Sequence, residues 1–177
     1  MTPDLTTLGK AIANGFPLAA VAGRRELMER LTTNPAGDVH FGGTYNGNAV
    51  AVEAGLATIE QLEDGTVHER VFALGDRMRA GLATIAERAG VPAVVGGFGS
   101  LFVLCFMDGP LRTYEDVLRN DTELFLRYRR ELVARGVFEM PESLGRSHIG
   151  ASHTQDDVDR SLEVAEAALR AALDGGA

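Results

Sequence analysis

The segment Pro3-Asp-Leu-Thr-Thr-Leu-Gly-Lys10, continued by Ala-Ile-Ala-Asn-Gly-Phe-Pro17, decides how the chain is interpreted. Its lysine is the only one in the protein, because all the other residues among the 17 Lys and Arg are arginines. Both residue types serve as solvated cations, but only a primary amine can condense with an aldehyde. The composition therefore singles out Lys10 as a residue kept for amine chemistry, with chance retention as the alternative.

The residues that follow this segment predict short secondary-structure elements. Leu18-Ala-Ala-Val-Ala22 predicts a buried strand, and Arg24–Leu31 a short helix. A buried strand needs neighbours on both sides, and the residues before Thr66 are too few to supply a sheet. We therefore expect Met1 to lie inside a domain and the chain to be incomplete.

A second motif, Phe41-Gly-Gly-Thr-Tyr-Asn-Gly-Asn48, predicts a polar, glycine-rich loop. It leads into an alanine-rich helix from about Asn48 to Leu62. Three apolar residues fall on one face of that helix: Val52, Leu56 and Ile59.

The chain from Thr66 onward predicts a separate small domain. Apolar residues recur every three or four positions and indicate a long amphipathic helix, which ends at Gly90 and Pro92. Its apolar stripe consists of Val67, Val71, Leu74, Met78, Leu82 and Ile85. We expect these residues to form core.

Strand and helix patterns alternate after Pro92. The predicted elements are strands at Ala93–Val95 and Leu101–Phe106 joined by Gly96–Gly99, one helix or two over Thr113–Gly136, a short strand at Val137–Met140, and a last helix at Val158–Leu173 behind the capping motif Thr154–Asp157. This order suits an α+β domain with helices on one face of a largely antiparallel sheet.

Composition excludes several classes of function. Hydrophobic residues make up 45% and charged residues 24%, as in a folded globular protein. The net charge of -8 argues against a nucleic-acid surface. The sequence has no apolar run long enough for a membrane span and no visible signal peptide, so a cytoplasmic location is expected.

Cys105 lies in an apolar run and is expected in the core. His148 and His153 lack the spacing and companions of a metal site.

The two motifs together resemble the class III aminotransferase family, whose members are enzymes dependent on pyridoxal 5'-phosphate (PLP). The lysine segment is most similar to the glutamate-1-semialdehyde aminomutase branch, and Ser152–Asp157 resembles the C-terminus of that branch. The resemblance implies a C-terminal fragment of PLP fold type I, of mixed α/β and α+β class. Residues 1–65 would be the end of the PLP-binding large domain, and residues 66–177 the small C-terminal domain.

The resemblance also implies roles for particular residues. Lys10 would form the Schiff base with PLP, and we expect its amine to be buried beside apolar walls, where the charged form is less favoured. Gly43 and Thr44 would bind the cofactor phosphate of the opposite subunit, which implies a homodimer with shared active sites. An ordinary turn before a helix is the alternative for these two residues.

Arg146 is the candidate for gripping a substrate carboxylate, and a solvated surface arginine is an equally good interpretation. The implied reaction is transamination between an amine or amino acid and a keto acid or aldehyde, or the aminomutase isomerisation. The rival hypothesis is a fragment that is inactive alone, because the family's other main cofactor contacts precede the lysine.

Overall fold

The structure is a computed structural model that describes residues 2–141 and 145–175. The chain divides into two compact units between Gly65 and Thr66. Each unit has its own secondary structure, and each is described by itself. Among the described residues, no helix is both long enough and apolar enough to cross a membrane.

The first unit begins with an antiparallel pair of strands, β1 (Leu5–Leu8) and β2 (Ala20–Gly23). A turn of 3-10 helix, Lys10–Ala13, lies in the connection between them. Gly23 is required at the end of β2, because a Cβ there would lie 2.3 Å from the carbonyl oxygen of Asp4. The tight pairing of the two strands therefore fixes where the lysine segment leaves the sheet.

The strand predicted over residues 18–22 exists, but it starts two residues later and is not buried. Val21 is 39% exposed, and all four residues of β1 are exposed. The expectation of burial was wrong for a physical reason. In the described part of the chain, β2 has one hydrogen-bonded neighbour, β1, and a two-stranded ribbon leaves most of its side chains open to solvent.

A short helix and a turn follow β2. Helix α1 covers Arg25–Met28, shorter than the eight residues predicted from the sequence. The predicted turn at Asn34–Gly37 is confirmed, with the Gly37 amide donating to the Asn34 carbonyl at 2.9 Å. Arg30 and Asp38 form a two-bond ion pair across this connection.

Helix α2, Ala49–Leu62, closes the first unit as the sequence predicted. The Asn48 side chain caps it by accepting a hydrogen bond from the Ala51 amide at 3.0 Å. Gly55 lets the helix approach the segment after the 3-10 turn, since a Cβ there would lie 2.5 Å from the Leu18 side chain. The three apolar residues on one face are each partly solvent-exposed: Val52, Leu56 and Ile59.

The second unit begins with the predicted long helix, α3 (Thr66–Arg88). Five members of its apolar stripe are buried, which confirms their core role: Val71, Leu74, Met78, Leu82 and Ile85. Gly90 ends the helix in a left-handed conformation with φ 65°. Its amide and that of Val91 bond back to the carbonyls of Glu87 and Ala86, which is a Schellman cap.

A three-stranded antiparallel sheet follows, in the order β3 (Val94–Gly96), β4 (Leu101–Cys105) and β5 (Ser147–His148). The two predicted strands joined by Gly96–Gly99 are confirmed, and they pair as a hairpin. The predicted strand at residues 137–140 is wrong, because those residues pair with no strand in the described part of the chain. The third strand is the two-residue β5 instead.

Three further helices complete the second unit: α4 (Tyr114–Val117), α5 (Thr122–Ala134) and α6 (Gln155–Asp174). The region 113–136 therefore forms two helices, one of the two arrangements that the sequence allowed. Thr154 and Asp157 form a complete capping box at the start of α6, as predicted. Helix α6 packs against both α3 and α5, and α3 also packs on the sheet.

The core of the second unit lies between these helices and the sheet, and it includes Met78, Phe106, Leu132 and Leu169. Cys105 is fully buried, as expected, and burial raises the pKa of its thiol. Its position in β4 makes it a packing residue rather than a reactive one.

Candidate active site

Lys10 lies at a strained position in the backbone. It follows the extended Gly9 and adopts φ 52°, in the left-handed region. Among the described residues, it shares a positive φ with one other non-glycine residue, Asn14, at the end of the same 3-10 turn. Such a conformation costs about 1–3 kcal/mol for a non-glycine residue and is concentrated at functional sites. The strain therefore independently marks the residue that composition singled out.

The amine of Lys10 is accessible. Its side chain is exposed, and it makes no hydrogen bond or ion pair within the described part of the chain. The expected burial beside apolar walls is therefore wrong for this structure, because the strand pair and the 3-10 turn supply no wall above the side chain. The arrangement nevertheless suits a nucleophile, since no neighbouring acid engages the nitrogen.

The glycine-rich motif forms the loop that the sequence predicted, ahead of α2. The Asn46 amide donates to the Gly43 carbonyl at 3.0 Å, and a Cβ at Gly43 would lie 3.1 Å from the Asn46 side chain. Thr44 is exposed, and its hydroxyl has no hydrogen-bond partner among residues 2–141 and 145–175. An open hydroxyl beside a side-chain-free backbone fits an anion such as a phosphate group.

Lys10 and the glycine-rich loop belong to the same compact unit, residues 1–65. Helix α2, which the loop leads into, packs against the 3-10 turn that carries Lys10. The amine and the open hydroxyl of Thr44 are therefore both presented by one packed substructure. Arg146 belongs to the second unit.

Arg146 is exposed and directly precedes β5. Its guanidinium forms no ion pair with any residue that the structure describes. It borders a groove of about 290 Å³ with a mixed lining. The polar side chains of this groove come from Glu139, Arg146, Ser147, His148, His153, Asp157 and Ser161. A free guanidinium at the rim of a groove can bind a carboxylate by donating two parallel N–H···O hydrogen bonds.

Glu139 is a candidate functional residue that the sequence reading missed. It borders both this groove and a smaller apolar cavity of about 40 Å³. Burial raises the pKa of its carboxyl, against the lowering effects of a hydrogen bond from Ser147 and the charge of Arg129. An acidic residue inside the apolar run Val137-Phe-Glu-Met140 was the signal available in the sequence.

Tyr128, on α5, lies beside Glu139 in the wall of the smaller cavity. It is 5% exposed and packs edge-on against Phe106, with ring centroids 5.5 Å apart. Burial, and then the charge of Glu139, raise the pKa of its hydroxyl. The phenol is therefore a neutral group at physiological pH.

Comparison with protein families adds the decisive observation. The profile of the family described as "Aminotransferase class-III" matches residues 1–134, which is most of the chain. The chain belongs to this family. The resemblance inferred from the two motifs is confirmed, and the match spans both the lysine segment and the glycine-rich loop.

The curated relatives include aminomutases. The glutamate-1-semialdehyde 2,1-aminomutase of Thermus thermophilus is 41% identical over 170 residues. The alignment covers 96% of this chain but 39% of that protein. The chain thus spans about two fifths of the length of this relative.

Solved transaminase structures confirm the fold. An omega-transaminase from Sphaerobacter thermophilus matches with a TM-score of 0.82 and 32% identity, over 97% of this chain and 39% of its own. A structure described as a transaminase with PLP bound matches with a TM-score of 0.82 and 26% identity, over 98% of this chain and 39% of its own. The chain therefore has the fold of part of a PLP-dependent transaminase.

Proposed function

We propose that this chain is the lysine-bearing part of a PLP-dependent enzyme that transfers amino groups. The observation that carries the proposal is Lys10 itself: the only lysine, backbone-strained, with a free amine, inside the family's matched region. The reaction is either an isomerisation like that of the named aminomutase or a transamination between an amine or amino acid and a keto acid or aldehyde.

In this proposal Nζ of Lys10 would hold PLP, and the cofactor would supply the electron sink that stabilises negative charge on the substrate carbon. Lys10 first acts as the nucleophile that holds the cofactor. When its amine is released, the same nitrogen carries a proton to and from the substrate carbon. Both roles suit an accessible amine that is carried by a backbone held in one strained conformation.

The glycine-rich loop is the proposed phosphate contact. The backbone at Gly43 has no side chain to block a phosphate oxygen, and the Thr44 hydroxyl is free to donate. By analogy with the family, this phosphate belongs to the cofactor of the partner subunit. The proposal therefore includes a homodimer with active sites shared between subunits.

Arg146 is the proposed contact for a substrate carboxylate, and the groove beside it accommodates the rest of the substrate. The support is the free guanidinium at the groove rim. In domain terms, we propose that residues 1–65 end the PLP-binding large domain and that residues 66–177 form the small domain. The division between Gly65 and Thr66 supports that boundary.

A second candidate function concerns the 177 residues in isolation. The exposure of Lys10 and of β1 favours a chain that binds PLP weakly and turns over little by itself. Absorbance titration with PLP and a transaminase assay on the purified chain test this directly. Steady turnover by the chain alone would exclude the second candidate.

The test of the main proposal is borohydride trapping in the PLP-loaded enzyme. Reduction should fix the cofactor on Lys10 and block tryptic cleavage there, so that the labelled peptide extends to Arg24. Lys10→Arg is the matched control, since it keeps the charge and removes the nucleophilic amine. We expect this variant to lose the label and the activity. A label on another residue, or full activity in Lys10→Arg, would refute the proposal.

A further inference from the structure

Residues 137–140 have no strand partner among the described residues, yet Glu139 ties them to two neighbouring elements. Arg129 on α5 donates its Nε–H to the backbone carbonyl of Glu139 at 2.8 Å. Ser147 on β5 donates its hydroxyl to Oε1 of Glu139 at 2.5 Å. The Glu139 side chain thus connects an irregular segment to the edge strand of the sheet.

This edge strand is short and has few other restraints. Its ladder consists of two residue pairs with β4, Leu101 with His148 and Phe102 with Ser147. One further backbone bond follows, from the Ile149 amide to the Ser100 carbonyl at 2.9 Å. With so small a ladder, a side-chain bond at Ser147 is a substantial part of what fixes the strand.

Ser147 is also the residue that follows Arg146. Whatever fixes the Ser147 backbone fixes the direction in which the Arg146 side chain leaves the chain. Glu139 and Arg146 border the same groove but form no ion pair with each other. The carboxylate therefore leaves the guanidinium free while holding its neighbour in place.

We propose that Glu139 is a positioning residue, which through its hydrogen bond with Ser147 sets the orientation in which Arg146 meets a substrate carboxylate. The inference rests on the proposed function, because it assumes that Arg146 binds a carboxylate. Two parallel N–H···O bonds require an aligned fork, and small displacements of a positioning group cost much of its effect.

Two donors that differ by one carboxylate separate positioning from general destabilisation. 3-Amino-3-phenylpropanoate carries the carboxylate, and 1-phenylethylamine lacks it. In the PLP-loaded enzyme, Glu139→Ala and Ser147→Ala should each raise KM for the first donor about tenfold, the equivalent of one lost hydrogen bond. KM for the second donor and kcat for both should change less than about twofold, since the missing bond acts through a carboxylate contact.

Two variants act as controls. Glu139→Gln keeps an oxygen that accepts from Ser147, and it should restore KM for the carboxylate donor to near the wild-type value. Thr84→Ala removes a hydroxyl outside the groove, which bonds to the Ala80 carbonyl within α3. It should leave both KM values unchanged.

Hydrogen exchange supplies a readout that does not depend on turnover. In Glu139→Ala and Ser147→Ala, the Ile149 amide should exchange faster than in wild type, and in Thr84→Ala it should not. An unchanged ratio of the two KM values, no reaction of the wild type with the carboxylate donor, or unchanged exchange would overturn the positioning role. Borohydride trapping on the same samples reports separately whether the proposed function stands.

Discussion

At the scale of single residues, Glu139 has an energetic cost that the fold tolerates. Burial raises the pKa of its carboxyl above the ordinary value of 4.5, so the folded state holds the proton more tightly than the unfolded state does. The stability that the protonated carboxyl contributes is therefore fully present below its pKa in the unfolded state. That contribution is lost as the pH rises through its pKa in the folded state. A surface acid would avoid this cost, which agrees with a role for Glu139 in its present place.

A pH-dependent prediction follows for Glu139→Gln. The variant has no carboxyl to ionise, so its stability relative to wild type should increase as pH rises from about 4 to about 7. Urea unfolding of both proteins at several pH values measures the difference. Glu131→Gln is the control, since Glu131 is paired with Arg135 on the surface of α5. A stability difference independent of pH would contradict the prediction.

The sequence could single out the proposed site residues but not all of their surroundings. Lys10 stood out by composition, and Gly43 and Thr44 by a motif. The exposure of Lys10 could not be predicted, because it depends on which residues of the fold lie above it. Glu139 was missed because its segment has an apolar pattern typical of a strand, and its burial depends on a contact with distant Ser147.

At the scale of elements, helices were predicted better than strands. The stripe of α3 and the capping box of α6 are local patterns of several turns, and both were confirmed. Strand β5 has two residues, too few for any alternation to be visible, so its existence depends on pairing with β4. Arg129 shows the same limit, because its bond to the backbone carbonyl of Glu139 depends on the fold and no local sequence pattern predicts it.

Two glycines of α3 give a matched test of element packing. A Cβ at Gly75 would lie 2.0 Å from the backbone oxygen of Gly99. That oxygen can move away only if the β3–β4 hairpin moves with it. A Cβ at Gly81 would meet only the end of the Leu162 side chain. We expect Gly75→Ala to lower the free energy of unfolding by about 1–3 kcal/mol and Gly81→Ala by less. Equal losses in thermal or urea unfolding would contradict this explanation.

At the scale of the whole molecule, the two units differ in how much apolar surface they bury. Every member of the main hydrophobic cluster comes from the second unit. Among the described residues of the first unit, the buried apolar ones are few and small, such as Ala13 and Ala51. Independent stability requires a core, so the two units should respond differently to separation.

The prediction is that residues 66–177 fold when expressed alone. Their circular dichroism should show helix, and heating should give one cooperative transition, because their core is internal. Residues 1–65 alone should show no cooperative transition and serve as the control. Non-cooperative melting of the 66–177 segment would contradict the prediction.

The strand pair of the first unit has a consequence for handling the protein. Each of β1 and β2 has one hydrogen-bonding edge without a partner strand in the described structure, and their side chains include the exposed Leu5, Leu8 and Val21. Open edges with apolar side chains are templates for intermolecular β-sheet. Concentrated samples of the chain by itself should therefore aggregate through this ribbon, and a charged substitution such as Val21→Lys should improve solubility.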